Sequence, residues 1–365
     1  MTSKNGRRVY FDHEAFTLQQ VGGVTRYFAM LGSLLPTVGW STTTFAGLSS
    51  NQFLNVLPRA MGVRIPHLDH TVRARQKLNS LAQVVYFSRA KPTLVHKTYY
   101  SCDWYPRNCR IIITIHDMIP ELGYASDDLL VAVKRRACER ADHIITVSVN
   151  TKQDLIHLLA LDPNRISVVP LASDLRRLPY AEADQPIKQP YLLYVGNRGL
   201  YKEFDTLLTA YANSARLKKD FALLCFGGGP FNRDERMHLA RYGLESRVLQ
   251  MRGDDQRLAA AYRSASAHIV TSRYEGFGLT VLEAMELRCR VVATRIPSTE
   301  EVAGEAVLYY PPGDSLALQE TLEGLLYRTS DLRLQTERAY RRSMEYSWKK
   351  TVEATASIYQ SVIET

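Results

Sequence analysis

The segment HIVTSRYEGFGLTVLEAME, residues 268–286, joins a predicted strand, a glycine-containing loop and a predicted helix. Gly276 and Gly278 lack side chains, so the backbone of the loop can approach a ligand closely. The helix is predicted to begin near Leu279, which places its free N–H groups and the positive end of its dipole at the loop. Such a helix start attracts an anion, and a diphosphate suits it. The segment therefore predicts an anion site at the carboxyl end of a strand.

Two acidic residues flank this predicted anion site. Glu275 lies in the loop, and Glu283 lies eight positions later, about one turn into the helix. Carboxylates do not favour phosphate, but they accept hydrogen bonds from the hydroxyl groups of a sugar or a ribose. The pair therefore indicates a ligand that carries both phosphate and hydroxyl groups. A capping loop with one solvated glutamate is the alternative that needs no ligand.

Short β-branched runs alternate with amphipathic stretches along the chain, which predicts an α/β fold with helices on both faces of parallel sheets. The predicted strands are 8–12, 41–46, 94–99, 111–116, 143–147, 166–169, 191–195, 221–226, 248–251, 268–271, 290–293 and 307–310. The predicted helices are 24–35, 72–88, 129–140, 152–159, 203–218, 233–242, 256–264, 280–287 and 316–327, followed by an all-helical end. Three prolines within 171–190, with Pro170 just before them, interrupt the alternation and indicate a junction between two doubly wound domains. If the carboxyl ends of the two sheets face each other, they enclose a cleft for a small molecule.

Length and composition agree with two globular domains. A chain of 365 residues, 45% hydrophobic and 23% charged, is too long for one ordinary core and too apolar to be disordered. No segment approaches the roughly 20 apolar residues of a membrane span, and the first residues contain no apolar export signal. Five scattered cysteines without a C-x-x-C pair predict reduced thiols in a cytoplasmic protein and no structural zinc. These are Cys102, Cys109, Cys138, Cys225 and Cys289.

Positive charge is concentrated in the first hundred residues. They contain twelve Lys or Arg against three acidic residues, an excess that equals the formal charge of +9 of the whole chain. A basic domain indicates an anionic partner, such as membrane headgroups or a lipid diphosphate. Nucleic acid is not predicted, because no aromatic stacking motif or reader helix accompanies the charge. A solvated basic face is the alternative.

The pattern E-G-F-G-L-x-x-x-E in residues 275–283 resembles the E-x7-E signature of retaining glycosyltransferase family 4. Members of that family have the GT-B architecture, in which two Rossmann-like domains face each other across a cleft. Five further segments resemble family segments and follow the family order. They are QQVGGVTRYF (19–28), IITIHDMIP (112–120), RADHIITVS (140–148), YVGNRGLYK (194–202) and FGGGP (226–230). The resemblance covers most of residues 20–315.

The resemblance implies a division into three parts. Residues 1–172 would form the acceptor-side domain, and residues 173–347 the domain that binds the nucleotide-sugar. A last helix, 348–365, would cross back to the first domain, with an apolar stripe that includes Trp348 and Tyr359.

The resemblance also implies roles for individual residues. Arg198 and Lys202 would neutralise the donor diphosphate as it leaves. Glu275 would contact hydroxyls of the transferred sugar, and Glu283 the ribose. His116 would lie beside the sugar, although a histidine at the end of an apolar strand is also often structural. The remaining donor-binding residues would be Gly22, Gly23, Gly227, Gly229, Gly278, Leu279 and Thr280.

The sequence departs from the family pattern in two places. Arg288 and Arg290 stand where the family has a glycine and a proline after the signature helix. Asn197 separates Arg198 from the glycine that the arginine often follows directly. Asp254 and Asp255 form no D-x-D motif, and they are interpreted as a helix cap rather than as metal ligands. Enzymes of this family need no cofactor and no metal, so none is predicted.

The donor is predicted to be GDP-mannose, by resemblance to bacterial enzymes that build surface polysaccharides. The acceptor is predicted to be a glycan or a lipid-linked oligosaccharide at the cytoplasmic face of the membrane, with Tyr99 and Tyr100 either lining the acceptor side or packing in the core. The alternatives are a UDP-hexose-dependent transferase, a GT-B epimerase or phosphorylase, and a nucleotide-sugar-binding protein. A nicotinamide-dependent oxidoreductase is disfavoured because no G-x-G-x-x-G follows the first strand.

Overall fold

A computed structural model describes residues 7–101, 104–180, 184–327 and 332–364. The chain divides into two compact units, one formed by residues up to Leu171 together with Trp348 onward, and one formed by Ala172–Ser347. The sequence placed this division one residue later, after residue 172.

The first unit is built on seven parallel strands in the order β3-β2-β1-β4-β5-β6-β7. The strands are β1 Arg8–Phe11, β2 Ser41–Ser49, β3 Ala60–Arg64, β4 Leu94–Lys97, β5 Arg110–Ile115, β6 His143–Thr146 and β7 Ile166–Val168. The helices of this unit are α1 Glu14–Leu18, α2 Gly23–Leu34, α3 Val72–Ala90, α4 Asp128–Arg140, α5 Val149–Leu159 and the last helix, α14 Trp348–Glu364. The strand order reverses between β1 and β4, and ligands of such sheets bind beyond the carboxyl ends at that reversal.

Helix α14 belongs to the first unit through buried aromatic contacts. Tyr359 is fully buried, and its hydroxyl lies 2.6 Å from His96 Nδ1. Its ring also packs on Trp40, with centroids 5.2 Å apart. Trp348 and Val352 are buried on the same helix.

The second unit contains six parallel strands in the order β10-β9-β8-β11-β12-β13. The strands are β8 Tyr191–Val195, β9 Ala222–Phe226, β10 Val248–Met251, β11 Ala267–Val270, β12 Val291–Thr294 and β13 Leu308–Tyr310. The helices are α6 Phe204–Asn213, α7 Ala215–Asp220, α8 Arg233–Arg241, α9 Asp255–Ser264, α10 Leu279–Glu286, α11 Pro297–Ala303, α12 Ser315–Tyr327 and α13 Leu332–Ser343. This is the strand order of a Rossmann fold, with its reversal between β8 and β11. The predicted class of two doubly wound α/β domains is therefore confirmed.

Three details differ from the sequence-based prediction. The helix predicted over 203–218 is two helices, because the Ser214 backbone is extended and its side chain accepts a hydrogen bond from the Leu217 N–H at 3.0 Å. The all-helical end is interrupted at 344–347, between α13 and α14. Strand β3 and helices α1 and α11 were not predicted, since each is short and lacks a clear hydrophobic period.

Asp254 and Arg288 each lie next to a helix end in the second unit. Asp254 caps α9 by accepting a hydrogen bond from the Arg257 N–H at 3.0 Å, as interpreted. Arg288 adopts a left-handed φ of 58°, so the turn keeps the backbone that a glycine would favour. Four cysteines, Cys109, Cys138, Cys225 and Cys289, are buried and unpaired, and Cys102 lies outside the described residues. Among the described helices, none combines the length and apolar composition needed to cross a bilayer.

Candidate functional site

An ion pair lies at the strand reversal of the second unit. Lys202, in the loop after β8, places its Nζ 2.5 Å from Oε1 of Glu275, in the loop after β11. The Ser272 hydroxyl donates to the same oxygen at 2.6 Å, and the Thr271 hydroxyl donates to the Lys202 carbonyl. The side chains of the pair are 15% and 17% exposed. The structure thus brings together two predicted site residues 73 positions apart, where a ligand can reach both.

Helix α10 begins beside this ion pair. Gly278 caps it with φ 94° and ψ 41°, a left-handed conformation that favours glycine. A Cβ atom at Gly278 would lie no closer than 3.7 Å to its nearest neighbour, the Ser298 carbonyl, so the backbone and not crowding requires glycine there. The first N–H groups of a helix have no partner within it, and those of Leu279 and Thr280 stand at this end. A cation, free N–H groups and a carboxylate therefore meet in one place.

Glu283 is buried in the second unit. It is on α10 and only 5% exposed. Its Oε2 accepts a hydrogen bond from the Tyr262 hydroxyl at 3.0 Å. Burial and the charge of Glu283 raise the pKa of Tyr262 well above its ordinary value, so the hydroxyl stays protonated and donates. The ribose contact predicted for Glu283 stays a prediction.

Arg198 is held by the glycine turn after β9. Its side chain is 2% exposed and pairs with Glu235 at 2.6 Å. Its guanidinium also donates to the carbonyls of Gly227, Gly229 and Pro230 at 3.3, 2.9 and 3.2 Å. The glycines at 227–229 all have left-handed φ values, between 67° and 87°. Arg198 therefore stabilises the turn in this structure, and the phosphate contact predicted for it stays a prediction.

In the first unit, His116 follows β5 and packs edge-on against Tyr27, with ring centroids 5.2 Å apart. Its Nε2 is buried and finds no hydrogen-bond partner among the described residues. Burial is the main cause that lowers the pKa of His116 to about 4, and the nearby positive charge of Lys134 is the second cause. The imidazole is therefore neutral at pH 7 and is able to accept a hydrogen bond.

Lys134 fixes the loop that carries His116, and the sequence analysis missed it. Its side chain is 1% exposed, and Nζ pairs with Glu121 at 2.9 Å and donates to the Asp117 carbonyl at 3.0 Å. The ammonium also lies 5.1 Å from the centre of the Tyr100 ring. A signal was present, because Lys134 shares a helix face with the apolar Ala137 and Cys138.

Acidic residues follow β1 directly and were also missed. Asp12 is fully buried and accepts hydrogen bonds from the Thr98 N–H at 3.0 Å and the Tyr105 hydroxyl at 2.8 Å. Glu14 is 4% exposed, and its Oε2 accepts a hydrogen bond from the Ser101 N–H at 2.8 Å. Burial and the charge of Asp12 raise the pKa of Glu14 to about 7. Two acids in a strongly basic segment were the signal for this cluster.

The predicted glycines of the first unit stand where a helix begins. Gly22 caps α2 with an extended backbone, and Gly23 is the first residue of that helix. A Cβ atom at Gly22 would collide with the side chain of Gln19, whereas one at Gly23 would meet open space. Their predicted donor contact stays a prediction.

Comparisons with known proteins cover both units. The Glycosyltransferase Family 4 model matches residues 21–177, and the Glycosyl transferases group 1 model matches residues 181–342. O-antigen chain mannosyltransferase B of Escherichia coli is 27% identical over 69% of this chain and 70% of its own length. The MMP alpha-(1->4)-mannosyltransferase of Mycolicibacterium hassiacum is 27% identical over 64% of this chain and 57% of its own length.

The fold is also found among solved structures. Sucrose-phosphate synthase from Thermosynechococcus elongatus superposes with a TM-score of 0.79 at 20% identity, over 98% of this chain and 99% of that one. Such a likeness shows the fold. Together with the two family models and the curated relatives, it identifies the chain as a glycosyltransferase of the GT-B fold that resembles bacterial mannosyltransferases.

Proposed function

We propose that the protein transfers a hexose from a nucleotide-sugar to a glycan or a lipid-linked oligosaccharide, with retention of configuration at the anomeric carbon. The observation that carries the proposal is the Lys202–Glu275 pair at 2.5 Å beside the start of α10. A cation with free helix N–H groups suits a diphosphate, and a carboxylate suits sugar hydroxyls. A nucleotide-sugar offers both a diphosphate and sugar hydroxyls, because its sugar is bonded directly to the diphosphate.

The residues of the second unit would act on the bond that breaks. The bond between the anomeric carbon and the phosphate oxygen breaks, and the diphosphate leaves with an additional negative charge. Lys202 and the N–H groups of Leu279 and Thr280 stabilise that charge as it develops. Glu275 holds the sugar by its hydroxyls. The acceptor oxygen bonds to the anomeric carbon on the face that the diphosphate leaves, and its proton passes to the leaving diphosphate.

Mannose from GDP-mannose is the first candidate donor. Two relatives are named mannosyltransferases, and one is named for O-antigen synthesis, which supports a role in polysaccharide biosynthesis. UDP-hexoses are the alternative donors. A thermal-shift comparison of GDP-mannose, GDP, UDP-glucose and UDP separates them. Stabilisation by the guanine nucleotides supports the proposal, and stabilisation by the uridine nucleotides alone refutes this donor.

His116 is proposed to bind the transferred sugar as a neutral imidazole. Its buried, unpartnered Nε2 supports a hydrogen bond to a hydroxyl group. In His116→Gln, a side-chain amide is able to replace that hydrogen bond, whereas His116→Ala removes it. We expect kcat to fall more in the alanine variant than in the glutamine variant, and equal kcat values in the two would contradict the role.

No cofactor and no metal take part in the proposed reaction, because Lys202 and the helix N–H groups supply the positive charge. The described residues contain no group of three or more His, Cys, Asp or Glu side chains arranged to hold an ion. Initial rates with and without EDTA test the proposal. Equal rates are expected, and a loss that Mg²⁺ or Mn²⁺ restores would refute it.

Contact with an anionic membrane at the cytoplasmic face is proposed from the charge of the first hundred residues, which equals the whole formal charge of +9. Vesicle flotation with and without anionic lipid tests it. Flotation only with anionic vesicles at low salt is expected, and equal flotation with neutral vesicles would contradict it.

Nucleotide release measured with and without acceptor tests the main proposal. GDP release that depends on an acceptor, with an α-configured product by ¹H NMR from the α-configured donor, supports retaining transfer. An inverted product contradicts the retaining mechanism. An isomerised donor assigns an epimerase, and release that requires inorganic phosphate assigns a phosphorylase. Binding without turnover for any acceptor assigns a nucleotide-sugar-binding protein.

A further inference from the structure

Two adjoining cavities open in the first unit at its strand reversal, and one of them is lined by Tyr99 and Tyr100, which were predicted to line the acceptor side or to pack in the core. The cavities measure about 520 and 550 Å³, and both are lined by Glu14, Gln76 and Ser101. Glu14 follows β1 and Ser101 follows β4, so the shared floor lies where a doubly wound sheet binds its ligands. Each cavity has the size of a small-molecule site.

The floor of the cavities is polar. Glu14 is 4% exposed, and its Oε2 accepts a hydrogen bond from the Ser101 N–H. Gln19 lines one of the two cavities, and its Oε1 is buried and has no hydrogen-bond partner among the described residues. Buried polar atoms are usually paired, so an unpaired oxygen in a cavity lining favours a ligand with hydroxyl groups.

The walls of the cavities are apolar and exposed. Leu81 and Trp104 line one cavity, with 68% and 45% of their surface exposed. Leu129 lines the other and is 76% exposed, and Leu130 and Val133 continue that wall. Large apolar side chains grouped around a cavity indicate a surface that an apolar ligand covers.

We propose that these cavities bind an amphiphilic glycoside, with the sugar at Glu14, Gln19 and Ser101 and the apolar chain along Leu81 and Trp104 or along Leu129 and Val133. The proposal rests on the proposed function, for which it names the acceptor class as a sugar linked to an apolar chain. The polar floor without the walls would suit a free glycan, and the walls without the floor would suit a plain lipid.

Isothermal titration calorimetry tests the proposal. The full chain, without donor, is titrated with octyl α-D-mannopyranoside below its critical micelle concentration, and methyl α-D-mannopyranoside is the reference ligand. The octyl glycoside is expected to bind at least ~10-fold more tightly, the effect of burying about two methylene groups. Equal affinities would overturn the proposal.

Leu129→Gln is the matched variant, and Leu316→Gln on α12 is its control, because both leucines are exposed, by 76% and 62%. We expect Leu129→Gln to reduce the preference for the octyl glycoside several-fold and the control to leave it unchanged. Glu14→Gln is expected to weaken both glycosides alike. An octyl preference that Leu129→Gln and Leu81→Gln both leave intact would overturn the proposal.

A second copy of the chain is the competing occupant of these walls. A dimer that Leu129→Gln dissociates in sedimentation would assign the surface to self-association and overturn the proposal. Because binding is measured without donor, absence of transfer in the nucleotide-release assay would refute the proposed function without removing the octyl preference. Loss of that preference alone would refute only the acceptor class.

Discussion

Replacing Lys134 by methionine removes a buried cation and keeps the length of the side chain. The ammonium of Lys134 pairs with Glu121, and the side chains of Lys134 and Glu121 are only 1% and 4% exposed. Breaking a buried ion pair leaves an uncompensated charge and costs about 3–5 kcal/mol. For a unit of this size, that corresponds to a Tm lower by roughly 10 °C. Differential scanning calorimetry measures the change.

The same variant changes the titration of His116. The charge of Lys134 is the second cause, after burial, of a pKa of about 4. In Lys134→Met the pKa of His116 is therefore expected to rise, and to stay below 6.5 because burial remains. Histidine ¹H–¹⁵N NMR across the pH range measures it. Lys134→Arg keeps the charge and is the matched control.

Two results would refute this reasoning. A destabilisation below about 1 kcal/mol would show that the pair is solvated and weak. An unchanged pKa for His116 would show that Lys134 does not act on the imidazole. The double variant Glu121→Leu with Lys134→Met is expected to recover most of the lost stability, since it leaves no unpaired charge.

Three further predictions concern the site and the core. Gly278→Ala is expected to lower the free energy of unfolding by about 1–2 kcal/mol through backbone strain alone. Gly228→Ala is expected to lower it more, because its Cβ would also lie 2.6 Å from Arg198 and 2.7 Å from the Gly196 carbonyl. Urea unfolding compares the two variants, and equal losses would contradict the conclusion that only the backbone requires glycine at position 278. Glu275→Ala is expected to lower kcat more than it lowers nucleotide affinity, whereas Glu283→Ala is expected chiefly to weaken nucleotide binding. Initial rates measure kcat, and calorimetry measures nucleotide affinity. The reverse pattern would exchange the roles of the two glutamates. Burial lowers the pKa of three histidines to between about 3 and 4, so they stay neutral in the folded protein but become protonated below about pH 6.5 in the unfolded chain. The free energy of unfolding is therefore expected to keep their full contribution above pH 6.5 and to lose it as the pH falls towards 4. Urea midpoints that stay constant between pH 6.5 and 4 would contradict this expectation. These histidines are His96, His116 and His268.

The sequence was sufficient to place residues at the carboxyl edges of the sheets. Lys202 and Glu275 each follow a strand of the same parallel sheet, so the periodicity alone predicts that both lie at one edge, and the structure joins them at 2.5 Å. The predicted helix start near Leu279 is the observed first residue of α10. Strand edges are predictable because local apolar runs determine them.

Partners that depend on tertiary packing were not predictable. The partner of Arg198, which lies in the loop after β8, is Glu235 on α8, 37 positions later, and no local pattern links the two. Lys134 is buried because Glu121 and the Asp117 carbonyl receive its charge, which requires the folded loop. The burial of Glu14 likewise depends on Ser101, which follows another strand.

A crystal structure of the protein with its intact nucleotide-sugar is the measurement that tests the central claim most directly. We predict pyrophosphate oxygens within hydrogen-bond distance of Lys202 Nζ and of the Leu279 or Thr280 N–H, with sugar hydroxyls on the Glu275 carboxylate. A pyrophosphate bound away from both Lys202 and the start of α10 would contradict the account.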